Sequence, residues 1–214
     1  MADSVTLSHS DVVRAARRLL EEQGSGAVSI ESVARSLGLD EAAVLWHFGD
    51  RGELMISVVD EALGRIAVPH VEEGPWDYRL YLLLWRLRDE LAPLAELAPL
   101  RIFLGPSFGP GSLQFVEAVL KLLRDGGLQD EEVLKAWHAL HSYLAGFRLA
   151  TVEGPREQIE SRALRARTEQ FSQMRAASHT PTVSDLAERL TTTPGDEEFS
   201  RGLQLLLEGI RSPS

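Results

Sequence analysis

The chain has 214 residues, 44% apolar and 25% charged, with a formal charge of −10 and neither cysteine nor asparagine. Disulfides, thiolate metal sites, iron–sulfur clusters, cysteine nucleophiles and N-glycosylation are thereby excluded, and the acidic balance argues against general affinity for polyanions. No run approaches the roughly 18 unbroken apolar residues of a membrane span. The opening ten residues lack the basic and apolar regions of a signal peptide, so a cytoplasmic protein with no membrane partner is expected.

Apolar positions recur at helical spacing throughout, and the predicted class is all-α. A first helix starts near Ser10 as its N-cap, runs through Val12, Val13, Ala16, Leu19 and Leu20, and stops at Gln23-Gly24. Ser29 caps a second helix with Ile30, Val33, Ala34 and Leu37 inside, and Gly38 supplies the turn that ends it. Asp40 then caps a brief third helix reaching about Phe48, and a fourth begins near Arg51 with Leu54, Val58, Val59 and Leu63 inside. Two prolines, a glycine and paired acids mark 67–75 as a seam, giving a 1–66 helix-turn-helix module and a larger helical domain over 67–214.

Beyond the seam, Trp76 to Leu91 carries one stripe of Leu80, Leu83, Leu84, Leu87 and Leu91 and a second of Tyr78, Tyr81, Leu82 and Trp85, the pattern of a central helix. Helices follow over 113–123, from Asp130 to Val152, around Leu186 and over 197–211, with a weakly periodic helical run at 157–177. In the last helix Phe199, Leu203, Leu206, Leu207 and Ile210 form a stripe wide enough for another helix, either a partner's or one of its own chain.

The stretch Ser29-Ile30-Glu31-Ser32-Val33-Ala34-Arg35-Ser36-Leu37-Gly38-Leu39, followed by Leu45-Trp46-His47-Phe48 and Gly49-Asp50-Arg51-Gly52-Glu53-Leu54, resembles the DNA-binding signature of the tetracycline-repressor family. Leu122-Leu123-Arg124-Asp125-Gly126-Gly127-Leu128, Leu144-Ala145-Gly146 and Phe199-Ser200-Arg201-Gly202-Leu203 extend the likeness to the ligand-binding and dimerising domain of its tetracycline-repressor subgroup. The resemblance implies a ligand-responsive repressor acting on operator DNA as a homodimer through the long helix from Asp130 and the last helix, without enzymatic activity and without a cofactor. It places Ser29, Ala42, Ala43, Leu45, Trp46 and His47 at DNA and Arg51 at a phosphate-holding position.

On the long helix Leu134, Trp137, His138 and His141 fall at i, i+3, i+4 and i+7, putting a large ring and two imidazoles on one face. In the subgroup this face lines the ligand cavity, with Tyr78, Tyr81 and Trp85 as the opposite wall, suiting a flat, partly apolar small molecule. A histidine that helps tetracycline repressors hold the drug's magnesium ion corresponds to Phe103, so a metal-chelated tetracycline is not the implied ligand. His138 and His141 lack the further ligand that a metal site needs. Gly105-Pro106-Ser107-Phe108-Gly109 matches the nucleophile elbow of serine hydrolases, but the chain shows none of the βα alternation that an elbow requires.

Six arginines face eleven carboxylates in residues 1–66, leaving five net negative charges on the supposed reading head. The tyrosine and threonine that the family presents to DNA correspond to Leu45 and Ala43. An alternative therefore stands beside the regulator: a family-like scaffold without operator binding, serving as a small-molecule-binding protein or as an enzyme that recruits His138, His141, Tyr78, Tyr81 or Arg148.

Overall fold

The computed structural model describes residues 7–66, 74–92, 109–151, 181–190 and 194–211, and every regular element among them is helical. The greater part of the predicted seam, Phe103 with all of the elbow-like motif except Gly109, and the helical run predicted at 157–177 lie outside the described residues.

Helix α1 (His9–Gln23) begins two residues before the predicted start, because Ser8 rather than Ser10 is the N-cap. The Ser8 hydroxyl accepts from the Asp11 amide at 3.2 Å and the Asp11 carboxylate accepts from the Ser8 amide at 3.1 Å. This reciprocal pair satisfies two otherwise orphaned donors. A single 3-10 turn (Ser25–Ala27) leads to α2 (Ile30–Leu37), where Ser29 and Ser32 repeat the reciprocal cap at 3.0 and 2.8 Å. Gly38 then turns left-handed, at φ 67°, and the amides of Gly38 and Leu39 close back onto the carbonyls of Arg35 and Ala34. A residue with a Cβ adopts that conformation only at a cost of about 1 kcal/mol.

Helix α3 (Glu41–Leu45) is shorter than the run to Phe48 that the sequence suggests, and Trp46 and His47 form a turn that delivers Phe48 into the core at 2% exposure. Asp40 occupies the N-cap position, but its side chain makes no capping hydrogen bond, contrary to expectation. Helix α4 (Arg51–Ile66) buries Leu54, Met55, Val58, Val59, Leu63 and Ile66, which join the head to the larger domain in one continuous apolar core. Each such side chain contributes roughly 1.5–3 kcal/mol relative to exposure.

The larger domain contains α5 (Trp76–Glu90), α6 (Pro110–Asp125), α7 (Asp130–Thr151), α8 (Pro181–Leu190) and α9 (Asp196–Arg211). Leu80, Leu84 and Leu87 of α5 are at most 2% exposed and pack into the core with Phe115 and Val119 of α6, Leu140 of α7 and Leu203 of α9. The predicted central helix therefore exists, but its second stripe is uneven: Tyr81, Leu82 and Trp85 are half-buried, whereas Tyr78 is 52% exposed. On α9 the stripe divides as well. Phe199, Leu203 and Leu207 are buried inside their own chain, and only Leu206 and Ile210, half-buried, edge an outward groove.

Where the head meets the larger domain, Asp60 of α4 caps the N-terminus of α6. Its carboxylate accepts from the Gly111 amide at 3.1 Å, the Ser112 amide at 2.8 Å and the Ser112 hydroxyl at 2.6 Å. The helices cross so closely that a Cβ on Gly111 would overlap the Asp60 carbonyl oxygen and lie 2.8 Å from the Gly64 amide nitrogen. Glycine at 111 is thus a packing requirement between two backbones.

Candidate DNA-reading head and effector region

Helices α2 and α3, joined by the Gly38 turn, present a short rod whose inner side is Val44, fully buried, and whose outer side is Ala42, Leu45 and Trp46. Leu45 is 44% exposed and Trp46 84%. Positions i, i+3 and i+4 share a helix face, so these three form one outward surface. Ala43 and His47 are half-buried at its edge, and Ser29 is half-buried with its hydroxyl engaged in the α2 cap. His9 of α1 lies over the Phe48 ring at 4.4 Å between centroids, fixing the end of the rod to α1.

Arg51 has a different arrangement from the phosphate-holding role that the resemblance implies. Its Nε donates to the Val28 carbonyl at 2.6 Å and its terminal nitrogen to the Ser25 carbonyl at 2.9 Å. The guanidinium therefore ties the loop before α2 to the start of α4, and a phosphate would have to use its remaining donors. The other arginines of the head are largely paired on the protein: Arg14 with Asp11, Arg17 with Glu21 and Glu61, Arg35 with Glu31, and Arg65 with Glu90 of α5. Arg18 is exposed and has no ion pair among the described residues.

In the larger domain the four residues predicted to share one face of α7 do not share one environment. The rings of Trp137 and His141 stack at 5.6 Å with an 18° interplanar angle, and His141 is buried. Leu134 (54%) and His138 are exposed. Burial pushes the His141 imidazole below its ordinary pKa, and the neighbouring His138 adds to the same shift, so at neutral pH His141 is uncharged. With one imidazole inside and the other outside, the pair diverges rather than converging on a common ligand.

Tyr81 and Trp85 pack against α9. Trp85 meets Phe199 edge-on at 5.3 Å, Tyr81 lies 6.0 Å from Trp85, and the Tyr81 hydroxyl hydrogen-bonds Ser200 at 2.9 Å. Phe147 joins Phe199 at 5.0 Å, Tyr143 donates to the Phe199 carbonyl at 2.8 Å, and the Arg88 guanidinium lies 5.0–5.8 Å from the rings of Trp85, Phe147 and Phe199. Arg148 donates to the Leu91 and Ala92 carbonyls at 2.8 and 3.1 Å, closing the C-terminal end of α5, where cations are favoured. Burial, with Arg88 nearby, lowers the Arg148 pKa.

Sequence reasoning missed the Asp60 cap and the inward role of Arg51. A Pro-Gly-Ser helix start announces itself locally at 110–112, but its acceptor is about fifty positions away and leaves no periodic trace. A separate groove of about 500 Å³ runs between α7 and α9, lined by Trp76, Ala136, Ala139, Leu205, Leu206 and Gly209 among others. Among the described residues no helix is long and apolar enough to cross a membrane.

A helix-turn-helix head joined by α4 to a larger helical body defines a helical regulator with separate reading and sensing parts. Residues 12–58 match the bacterial regulatory proteins of the tetR family, and residues 68–213 match the tetracyclin repressor-like C-terminal domain. The chain belongs to the TetR family of bacterial transcriptional regulators. It is 26% identical to the HTH-type transcriptional repressor DrrR1 of Streptomyces coeruleorubidus, over 96% of this chain and 77% of that one. With the class A tetracycline repressor protein of Escherichia coli it shares 22% identity over 95% of this chain and 90% of the other. ActR of Streptomyces coelicolor, solved in complex with actinorhodin, superposes with a TM-score of 0.73 at 27% identity, over 98% of this chain and 96% of ActR.

Proposed function

We propose that the protein is a cytoplasmic, homodimeric repressor whose α3 enters the major groove of an operator and whose release is driven by a small molecule bound in the larger domain. The observation that carries this reading is the outward face of α3: a tryptophan at 84% exposure beside Leu45, held on a rigid Gly38 turn, is a costly surface for an isolated protein. Partnering through α7 and α9 is supported by the groove between them, where Ala139 and Gly209 leave room for another helix. The effector is a flat, partly apolar compound, consistent with the Trp137–His141 stack and with the actinorhodin that ActR binds. Repression requires only that this compound favour one separation of the two heads over another.

The acid excess and the paired arginines of the head favour a second reading, a ligand-binding or catalytic scaffold without an operator. Titration of the full-length protein with duplexes from the DNA flanking its coding region, at several salt concentrations, separates the two. Saturable, sequence-dependent binding is expected; its absence at low salt transfers the case to the scaffold.

A further inference from the structure

Base edges in the major groove offer hydrogen-bond donors, acceptors and one apolar mark, the C5-methyl group of thymine. Polar readout falls mainly to arginine, lysine, asparagine and glutamine. None of these occurs between Leu39 and Phe48. What α3 presents instead is hydrocarbon and an indole: Ala42, Leu45 and Trp46 on one face. Glu41, exposed at the start of the helix, is an acceptor only, and His47 is half-buried beside Phe48.

The phosphate side is equally sparse. Arg17 and Arg65 are held in ion pairs, Arg14 and Arg35 form exposed pairs within their own helices, Arg51 holds two main-chain carbonyls, and Arg18 is exposed without an ion pair among the described residues. With six arginines against eleven carboxylates in residues 1–66, counterion release, the usual source of sequence-independent affinity, is limited. An acidic head with an apolar reading face is suited to discriminate through apolar contacts.

Resting on the operator-binding reading above, we infer that this regulator identifies its operator through thymine methyl groups, with Leu45 and Trp46 as the specificity-determining contacts and Ala42 leaving space for the groove edge. The half-site then contains thymines facing α3, and binding distinguishes thymine from uracil, which differ by that methyl alone.

The test begins with duplexes enriched from a random-sequence pool by the full-length protein at low salt. Thymines in the enriched half-site are then replaced one at a time by deoxyuridine. Each contacted methyl is expected to account for about a fourfold change in affinity, the equivalent of burying one methyl-sized group. Trp46→Ala and Leu45→Ala are expected to weaken binding and bring the thymine-to-uracil ratio towards one, while the thermal midpoint stays near that of the parent because both side chains are exposed. Equal affinity for thymine and uracil duplexes overturns methyl readout but leaves operator binding standing. Full binding by Trp46→Ala likewise overturns the assignment and points to a protein partner for this face. A pool that yields no enriched duplex defeats operator binding itself, and the methyl inference with it.

Discussion

Removing the Asp60 carboxylate tests whether the head and the larger domain are joined by a specific cap or only by apolar contact. In Asp60→Ala the Gly111 amide, the Ser112 amide and the Ser112 hydroxyl lose their shared acceptor. A lost helix cap costs about 0.5–2 kcal/mol, and a hydrogen bond to a charged group contributes roughly 1.5–3 kcal/mol. The terms overlap, because all three donors meet one half-buried carboxylate that water can partly replace, so the expected loss is about 2–3 kcal/mol rather than the full sum. For a chain of this size that corresponds to a fall in thermal midpoint of roughly 5–10 °C. Asp60→Asn keeps an acceptor oxygen but loses the charge facing the positive end of α6, and should lie between the variant and the parent. Urea denaturation followed by circular dichroism at fixed protein concentration gives the comparison: the midpoint should fall with little change in slope. An Asp60→Ala protein within about 0.5 kcal/mol of the parent, the scatter of ordinary surface substitutions, would refute the structural role assigned to this contact.

Arg51→Met is expected to destabilise the head by about 2 kcal/mol and to speed amide exchange at 25–28, because two carbonyls lose a charged donor; unchanged exchange there would contradict the tie. Stability should be level above the ordinary imidazole pKa of 6.5 and fall as pH drops below it, because the folded state resists protonating buried His141 while the unfolded chain binds the proton readily. His141→Gln should remove that component, and an identical pH profile in the variant would assign it elsewhere. Operator affinity should depend only weakly on salt, with a log–log slope shallower than about −4 for the proposed dimer, since each phosphate neutralised contributes about −0.9. A much steeper slope would mean that the arginines paired on the protein turn to phosphate on binding.

The head was the most legible part of the sequence because its information is local. Ser29, the Val33–Ala34–Leu37 face and Gly38 specify a capped helix and a left-handed stop within ten residues, and the structure forms each of them. Local signals also compete: Ser8 and Ser10 both suit an N-cap, and Asp11 decides for Ser8 because it can return the hydrogen bond. Reach defeats sequence reading altogether. Arg51 stands where the family pattern sets a phosphate contact, yet its long side chain finds Ser25 and Val28. Periodicity likewise identified the apolar stripe of α9 without revealing that Phe199, Leu203 and Leu207 fill the chain's own interior, and it grouped His138 with His141 although one is exposed and the other buried.

The four tryptophans are distributed so that the protein carries its own optical reporter. Trp46 alone projects from the head at 84% exposure, whereas Trp76, Trp85 and Trp137 are half-buried in the body. A neutral collisional quencher such as acrylamide should extinguish the emission of the first before that of the others. Shielding of that component follows occupancy of the reading face, while changes in the remaining emission follow events in the body, so both ends of the molecule can be monitored in one unlabelled sample.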